Sequence, residues 1–200
     1  MLTGAQRRGG FTLIELLVTI TLVALLMMLA VPAMGSWVAD ARVRSTAESL
    51  QSALHLAQST AVTRSRSSVL ALTSAAPAWN AVPAGNGSNW FVRLLPLPDS
   101  DDAAGTDSFI QGATAASQYG VKLVGPALLC FNSLGQLSTK SASATGMSAA
   151  CSAGATAEYT LSRSGGSRQL KVRVEPGGKV RMCDVAKSLS NGDPDGCPKT

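Results

Sequence analysis

The sequence predicts an α+β protein: a long N-terminal helix, apolar in its first half and amphipathic in its second, packed on an antiparallel β-sheet or sandwich domain. Three observations carry this. Residues 11–31 form an apolar run of 21 residues whose only charge is Glu15. Ala47, Leu50, Leu54, Ala57 and Ala61 then recur at alternating spacings of three and four, the stripe of an amphipathic helix. Beyond Thr63, short runs rich in β-branched and other apolar residues alternate with Pro, Gly, Asn and Ser clusters, as antiparallel strands require.

Composition narrows the function classes. With 46% hydrophobic and 14% charged residues, the chain is no disordered polyelectrolyte. Its single histidine leaves any serine or cysteine triad to rest on His55 alone. That residue sits beside the helical stripe with no cysteine or carboxylate at ligand spacing, so the sequence gives no catalytic site. Aromatic residues at 4% are too few for a module that works by stacking bases. The net charge of +5 is the more informative total.

Taken in order, residues 1–10 are short and polar, with Arg7 and Arg8 just ahead of Gly9 and Gly10. The apolar run that follows rises about 32 Å at 1.5 Å per residue, enough for a bilayer core. The arginines in front of it orient the carboxyl-terminal bulk outward. A secretory signal has a shorter apolar region and a small-residue cleavage site, for which Ala30-Val31-Pro32-Ala33 is a weak match. A plain anchor gives no reason for Glu15, since a carboxylate at that depth costs about 2.5–3.5 kcal/mol and usually marks a partner charge. Pro32 removes a backbone donor and Gly35 loosens the chain, so a bend is expected there. The organisation is a leader over 1–10, an apolar helix over 11–34, an amphipathic helix over 35–66 and a β-rich domain over 67–200.

Within that domain the expected strands are 68–73, 89–95, 119–124, 128–131, 158–163, 169–175 and 179–183. Segments 74–88 and 138–157 are Ala/Ser/Gly-rich and read as loops. The four cysteines all follow the apolar run, on the side where disulfides persist. Three pairings are open. Cys130–Cys151 and Cys183–Cys197 are favoured because each closes a local loop, the second tying down the tail. No Cys-x-x-Cys pair points to zinc. Asp99, Asp101, Asp102 and Asp107 have hard oxygen ligands for calcium, but their spacing does not fit an EF-hand, and a solvated acidic loop is the better reading. No metal or cofactor is expected.

Residues 163–187 hold seven basic side chains (Arg163, Arg168, Lys171, Arg173, Lys179, Arg181, Lys187) against Glu175 and Asp184. Alternation puts Leu170, Val172 and Val174 on one face and Lys171 and Arg173 on the other; Val180 and Met182 alternate with Lys179 and Arg181 in the same way. Joining the two apolar sets needs an odd-numbered loop, which Pro176-Gly177-Gly178 supplies. Arg173 then faces Arg181 on the solvent side. Like charges opposed in a sheet destabilise it, and a polyanion such as DNA would relieve them through counterion release. A solvated face that serves solubility fits the composition equally well.

Gly10-Phe11-Thr12-Leu13-Ile14-Glu15-Leu16 resembles the type IV prepilin signature. The resemblance implies cleavage after Gly10 by a dedicated prepilin peptidase and methylation of a new terminus at Phe11. It implies that Glu15 neutralises the terminal amine of a neighbouring subunit in the filament, and that Pro32 stands at the helix-kinking position. Val31-Pro32, Ala47-Glu48-Ser49-Leu50-Gln51-Ser52-Ala53-Leu54, Leu56-Ala57-Gln58-Ser59 and Gly178-Lys179-Val180-Arg181-Met182-Cys183-Asp184 resemble the GspH/FimT branch of minor pilins. FimT-type members bind DNA during natural transformation through a Gly-Arg-x-Arg motif. Gly178, Lys179 and Arg181 occupy it here, with lysine in place of the first arginine, which keeps the charge but loses bidentate geometry. Lys171, Arg173, Arg168 and Lys187 join them as candidates on or near the same face.

The resemblance implies a subunit held in the bacterial inner membrane by one span, its domain periplasmic, and then carried in an extracellular pilus. Its partners would be other pilins and double-stranded DNA, held through phosphates without sequence readout. A structural tip or priming pilin without DNA contact, or a GspH-like pseudopilin of type II secretion, is the alternative. An enzyme is not expected.

Overall fold

The computed structural model describes residues 11–97, 108–151 and 155–198, without the side chains of residues 29–33. The leader with Gly10, the Pro32 side chain and the cluster Asp99, Asp101, Asp102 and Asp107 therefore lie outside the described residues.

Helix α1 spans Leu13–Thr63, 51 residues, and runs unbroken through positions 32 and 35 where the sequence divides it in two. Its start is fixed by Thr12, whose hydroxyl accepts from the Glu15 N–H at 3.3 Å. Leu, Met and Ala, all strong helix formers, sustain it. It stops at Arg64, followed by Ser65 in the left-handed region at φ 48°. The described side chains of 11–28 are all exposed. Among the described residues no helix is long and apolar enough to cross a membrane.

From Ala39 onward one face of α1 is buried: Ala39, Val43, Ala47, Leu50, Leu54, Ala57 and Ala61. Two sheets share it. The first has strand order β3-β2-β1-β5, from β1 (Ser68–Thr73), β2 (Asn89–Leu94), β3 (Phe109–Ala113) and β5 (Leu128–Phe131). The second has order β4-β6-β7-β8-β9, from β4 (Lys122–Val124), β6 (Ala157–Ser162), β7 (Leu170–Val174), β8 (Val180–Ser188) and β9 (Gly196–Cys197). Leu70, Leu72, Trp90 and Val92 from one sheet and Tyr159, Leu161, Val172 and Val174 from the other meet Leu50 and Leu54 in a single core. Alanine at 47, 57 and 61 lets strand backbones approach the helix closely. Each fully buried leucine contributes about 1.5–3 kcal/mol.

Several expectations are corrected here. The run 119–124 is not one strand: Tyr119 ends the short helix α2 (Ala115–Tyr119), whose cap Gly120 at φ 64° turns the chain before β4 begins at Lys122. Strand β3 was not expected. The pairing of β8 with β9 is parallel, an exception in an otherwise antiparallel domain. Segments 74–88 and 138–151 do lack long elements, apart from α3 (Ala142–Thr145). They are not idle loops, since Ala81, Met147 and Ala149 pack on Val69, Phe91, Leu128 and Cys130 and give the first sheet a second buried face.

Two polar bolts hold loops against α1. Gln58 donates to the Gly135 carbonyl at 2.8 Å and the Gly178 carbonyl at 3.0 Å, fixing the β7–β8 turn to the helix. Asp40 accepts from the Ser167 N–H, the Ser167 hydroxyl and the Arg168 N–H at 2.8–2.9 Å, fixing the β6–β7 turn. The Arg168 N–H first, then the Ser167 hydroxyl, hold the Asp40 carboxyl below its ordinary pKa. Gly178 sits at φ 88°, and a Cβ there would collide with the Gly135 carbonyl. Gly178→Ala should therefore lower stability by about 1–3 kcal/mol. Gly177→Ala, with open space around it, should stay within about 0.5 kcal/mol of the parent when both variants and the parent are unfolded in urea.

Candidate functional site

The β7–β8 hairpin carries most of the basic residues singled out in the sequence. Its register is Arg173 opposite Arg181, Val172 opposite Met182 and Val174 opposite Val180. Pro176-Gly177-Gly178 is the three-residue connection, closed by the Glu175 N–H on the Lys179 carbonyl at 2.9 Å and the Gly178 N–H on the Glu175 carbonyl at 2.8 Å. Val172, Val174 and Val180 are buried toward α1, so Lys171, Arg173, Lys179 and Arg181 share the outer face.

What the sequence did not reveal is the strand on the other side. In β6, Glu158 lies directly opposite Arg173, so the row across the sheet reads Glu158, Arg173, Arg181. One Glu158 oxygen accepts from Lys171 Nζ at 2.8 Å, and the other forms an ion pair with Arg173 Nε, also at 2.8 Å. These side chains are 18–28% exposed, so the ion pairs are partly shielded from solvent. The Lys171 hydrogen bond, reinforced by the charges of Lys171 and Arg173, holds the Glu158 carboxyl below its ordinary pKa.

The remaining two candidates are also engaged. Arg168 Nε meets the buried Asp184 carboxylate at 3.3 Å, and the other Asp184 oxygen accepts from the Ala186 N–H. Lys187 Nζ donates to Asp195 at 2.8 Å and lies 3.9 Å from Asp193. The Asp195 hydrogen bond raises the Lys187 pKa. Of the six cations, Lys179 and Arg181 alone are exposed and make no ion pair among the described residues. The outer face is thus a largely self-neutralised sheet with two free cations at one end.

Both disulfides favoured by loop closure are present. Cys130–Cys151 ties β5 to the segment covering it, and Cys183–Cys197 ties the tail to β8. Among the described residues no group of three His, Cys, Asp or Glu side chains is placed to hold a metal. His55 is exposed on α1. At the other end of the molecule, Phe11 is 86% exposed and Glu15 lies in the first helical turn, its carboxylate making no hydrogen bond or ion pair among the described residues.

A helix with an uncovered apolar first half, and two mainly antiparallel sheets wrapped on its second half, define a pilin-like assembly subunit. The chain belongs to the GspH family: the model described as type II transport protein GspH matches residues 46–178. The prokaryotic N-terminal methylation motif matches residues 5–31. Two solved structures are similar, both of the type IV minor pilin FimU of Pseudomonas aeruginosa strain PAO1, in crystal forms P65 and P21. Each is 12% identical with a TM-score of 0.47 over 72% of this chain, covering 94% and 90% of the respective FimU chains. No curated protein matches the sequence.

Because Glu158 is more acidic folded than unfolded, its contribution to stability is full above the ordinary glutamate range near pH 4.3 and fades as pH falls through its lowered folded value. The melting temperature of Glu158→Gln should lie below that of the parent at pH 7. The gap should close as both are acidified below about pH 4.

Proposed function

We propose that this minor pilin joins a type IV pilus through α1 and touches double-stranded DNA, non-specifically, through Lys179 and Arg181. The observation that carries the DNA contact is that these two are the exposed cations left without an acid on a face whose other cations are paired. Arg173 stands opposite Arg181, and Glu158 offsets only one of the two positive charges, Lys171 and Arg173, that it binds. A phosphate placed at Arg181 would find Arg173 beside it.

Assembly follows from the other end. The apolar side chains of residues 11–28 have no cover in the isolated subunit. Burying them in a membrane or filament leaves the Glu15 carboxylate in need of a cation. A neighbouring subunit's Phe11 amine, freed by peptidase cleavage after Gly10, would provide it. The subunit would wait in the inner membrane with its disulfide-bonded domain outside, and then pass into the pilus. We assign it no catalytic step.

A structural pilin or type II secretion pseudopilin without DNA contact is the second reading, and the ion pairs of Lys171, Arg173, Arg168 and Lys187 favour it. Anisotropy titration of labelled duplex with the mature chain in detergent separates the two. On the DNA reading, Lys179→Ala/Arg181→Ala weakens binding by about tenfold or more at low salt, whereas Glu158→Gln, which frees Lys171 and Arg173, tightens it. Absent binding by the parent, or equal binding by the double variant, would favour the second reading. Assembly has its own check: Glu15→Ala should remove the subunit from sheared filaments while leaving its amount in the membrane unchanged.

A further inference from the structure

Arg93 is the most deeply buried cation described, 2% exposed, and among the described residues no carboxylate reaches it. It stands on the outward side of β2, where pairing with β3 slips by a bulge between Val92 and Arg93. Bulges of this kind re-aim side chains. Its Nη1 donates to the Trp79 carbonyl and its Nη2 to the Thr145 carbonyl, each at 2.9 Å, so the guanidinium joins the two segments that cover the first sheet. Its Nε is buried without an acceptor.

Joining two carbonyls explains the hydrogen bonds but not the charge. A neutral amide could hold both, whereas a guanidinium carries a full charge that two carbonyl dipoles only partly offset. Burial accordingly pulls its pKa down.

The charge borders an opening. A cleft of about 260 Å³ reaches Arg93 between Trp79, Val82, Pro83 and Met147. Val82 is 66% and Trp79 39% exposed, so the rim is apolar and uncovered. The volume falls just below the roughly 300–1,000 Å³ of small-molecule sites, which suits a single residue rather than a larger ligand. A carboxylate that must lie beside apolar atoms within one residue is the α-carboxylate of an apolar C-terminal residue, where both groups branch from one Cα.

We infer that the cleft between Trp79 and Met147 captures the C-terminal apolar residue of a partner polypeptide, its carboxylate meeting the Arg93 guanidinium and its side chain the Trp79–Val82 rim. The site lies on the first sheet, apart from the Lys179–Arg181 end of the second, and stands or falls independently of DNA binding. Its contribution is selectivity for a chain end, because an internal carboxamide offers the guanidinium no charge.

The test uses the full mature chain in detergent micelles, reading the Arg93 Nε–H and Trp79 indole resonances during titration with N-acetyl-leucine, N-acetyl-leucinamide and the amide of N-acetyl-glutamate. N-acetyl-leucine should shift both resonances saturably while the leucinamide leaves them in place. Glutamate binding as well as or better than N-acetyl-leucine would overturn the chain-end assignment. Equal shifts from N-acetyl-leucine and its amide, or none, would overturn the site altogether. Arg93→Gln should abolish the indole shift. Val82→Asp, at an exposed rim position that leaves the packing intact, should weaken N-acetyl-leucine binding about tenfold by repulsion, and unchanged binding in that variant would also overturn the site.

Discussion

One helix face has to satisfy two sheets, and the rest of the domain is arranged around that requirement. From Val43 to Ala61 the buried positions of α1 step by four and three residues, and strands from both sheets come to the same stripe. Leucine at 50 and 54 fills the space between the sheets, and alanine at 47, 57 and 61 brings strand backbones close. The helix half-turns that flank this stripe then carry the polar bolts. Asp40 holds the turn before β7 and Gln58 the turn after it, so the hairpin with the basic residues is positioned at both ends by α1. The same helix, continued toward its N-terminus, is the apolar rod that carries the methylation motif and through which assembly is proposed. Position of the outer face and mode of assembly are therefore set by one element.

Charge on that outer face is governed by Glu158. Without it, Lys171, Arg173 and Arg181 would form an unrelieved cluster on adjacent strands, a destabilising arrangement. With it, the sheet tolerates two cations on β7, and the surplus positive charge is displaced toward Lys179 and Arg181 at the hairpin end. The proposed phosphate contact is accordingly smaller than the count of basic residues suggests. Arg168 and Lys187 serve the tail instead, where Asp184, Asp193, Asp195 and Cys183–Cys197 hold β9 beside β8.

The sequence made legible whatever depends on local period or loop parity. The α1 stripe, strands β1, β2 and β5, and the opposition of Arg173 to Arg181 follow from alternation and a three-residue loop. The disulfides followed from loop closure. What escaped depends on strand order, which no local pattern encodes. Glu158 stood at the start of an expected strand, facing outward beside inward Tyr159, but nothing in the chain said that β6 pairs with β7. The covering role of 74–88 and 138–151 escaped because small Ala and Ser residues carry no period. Arg93 escaped for the same reason, since its burial is made by those segments and its neighbours in β2 gave no sign of them. Strand β9 has only two residues and is held by a disulfide and backbone bonds to β8, too short for any pattern.

The number of free cations on the face is the central claim, and the salt dependence of duplex binding by the unaltered mature chain measures it most directly. Each phosphate neutralised contributes about −0.9 to the slope of log K against log salt concentration. Two free cations give a slope of about −2. A slope of about −5, as all six basic residues acting together would produce, would contradict the account by placing Glu158, Asp184 and Asp195 outside the ion pairs described for them.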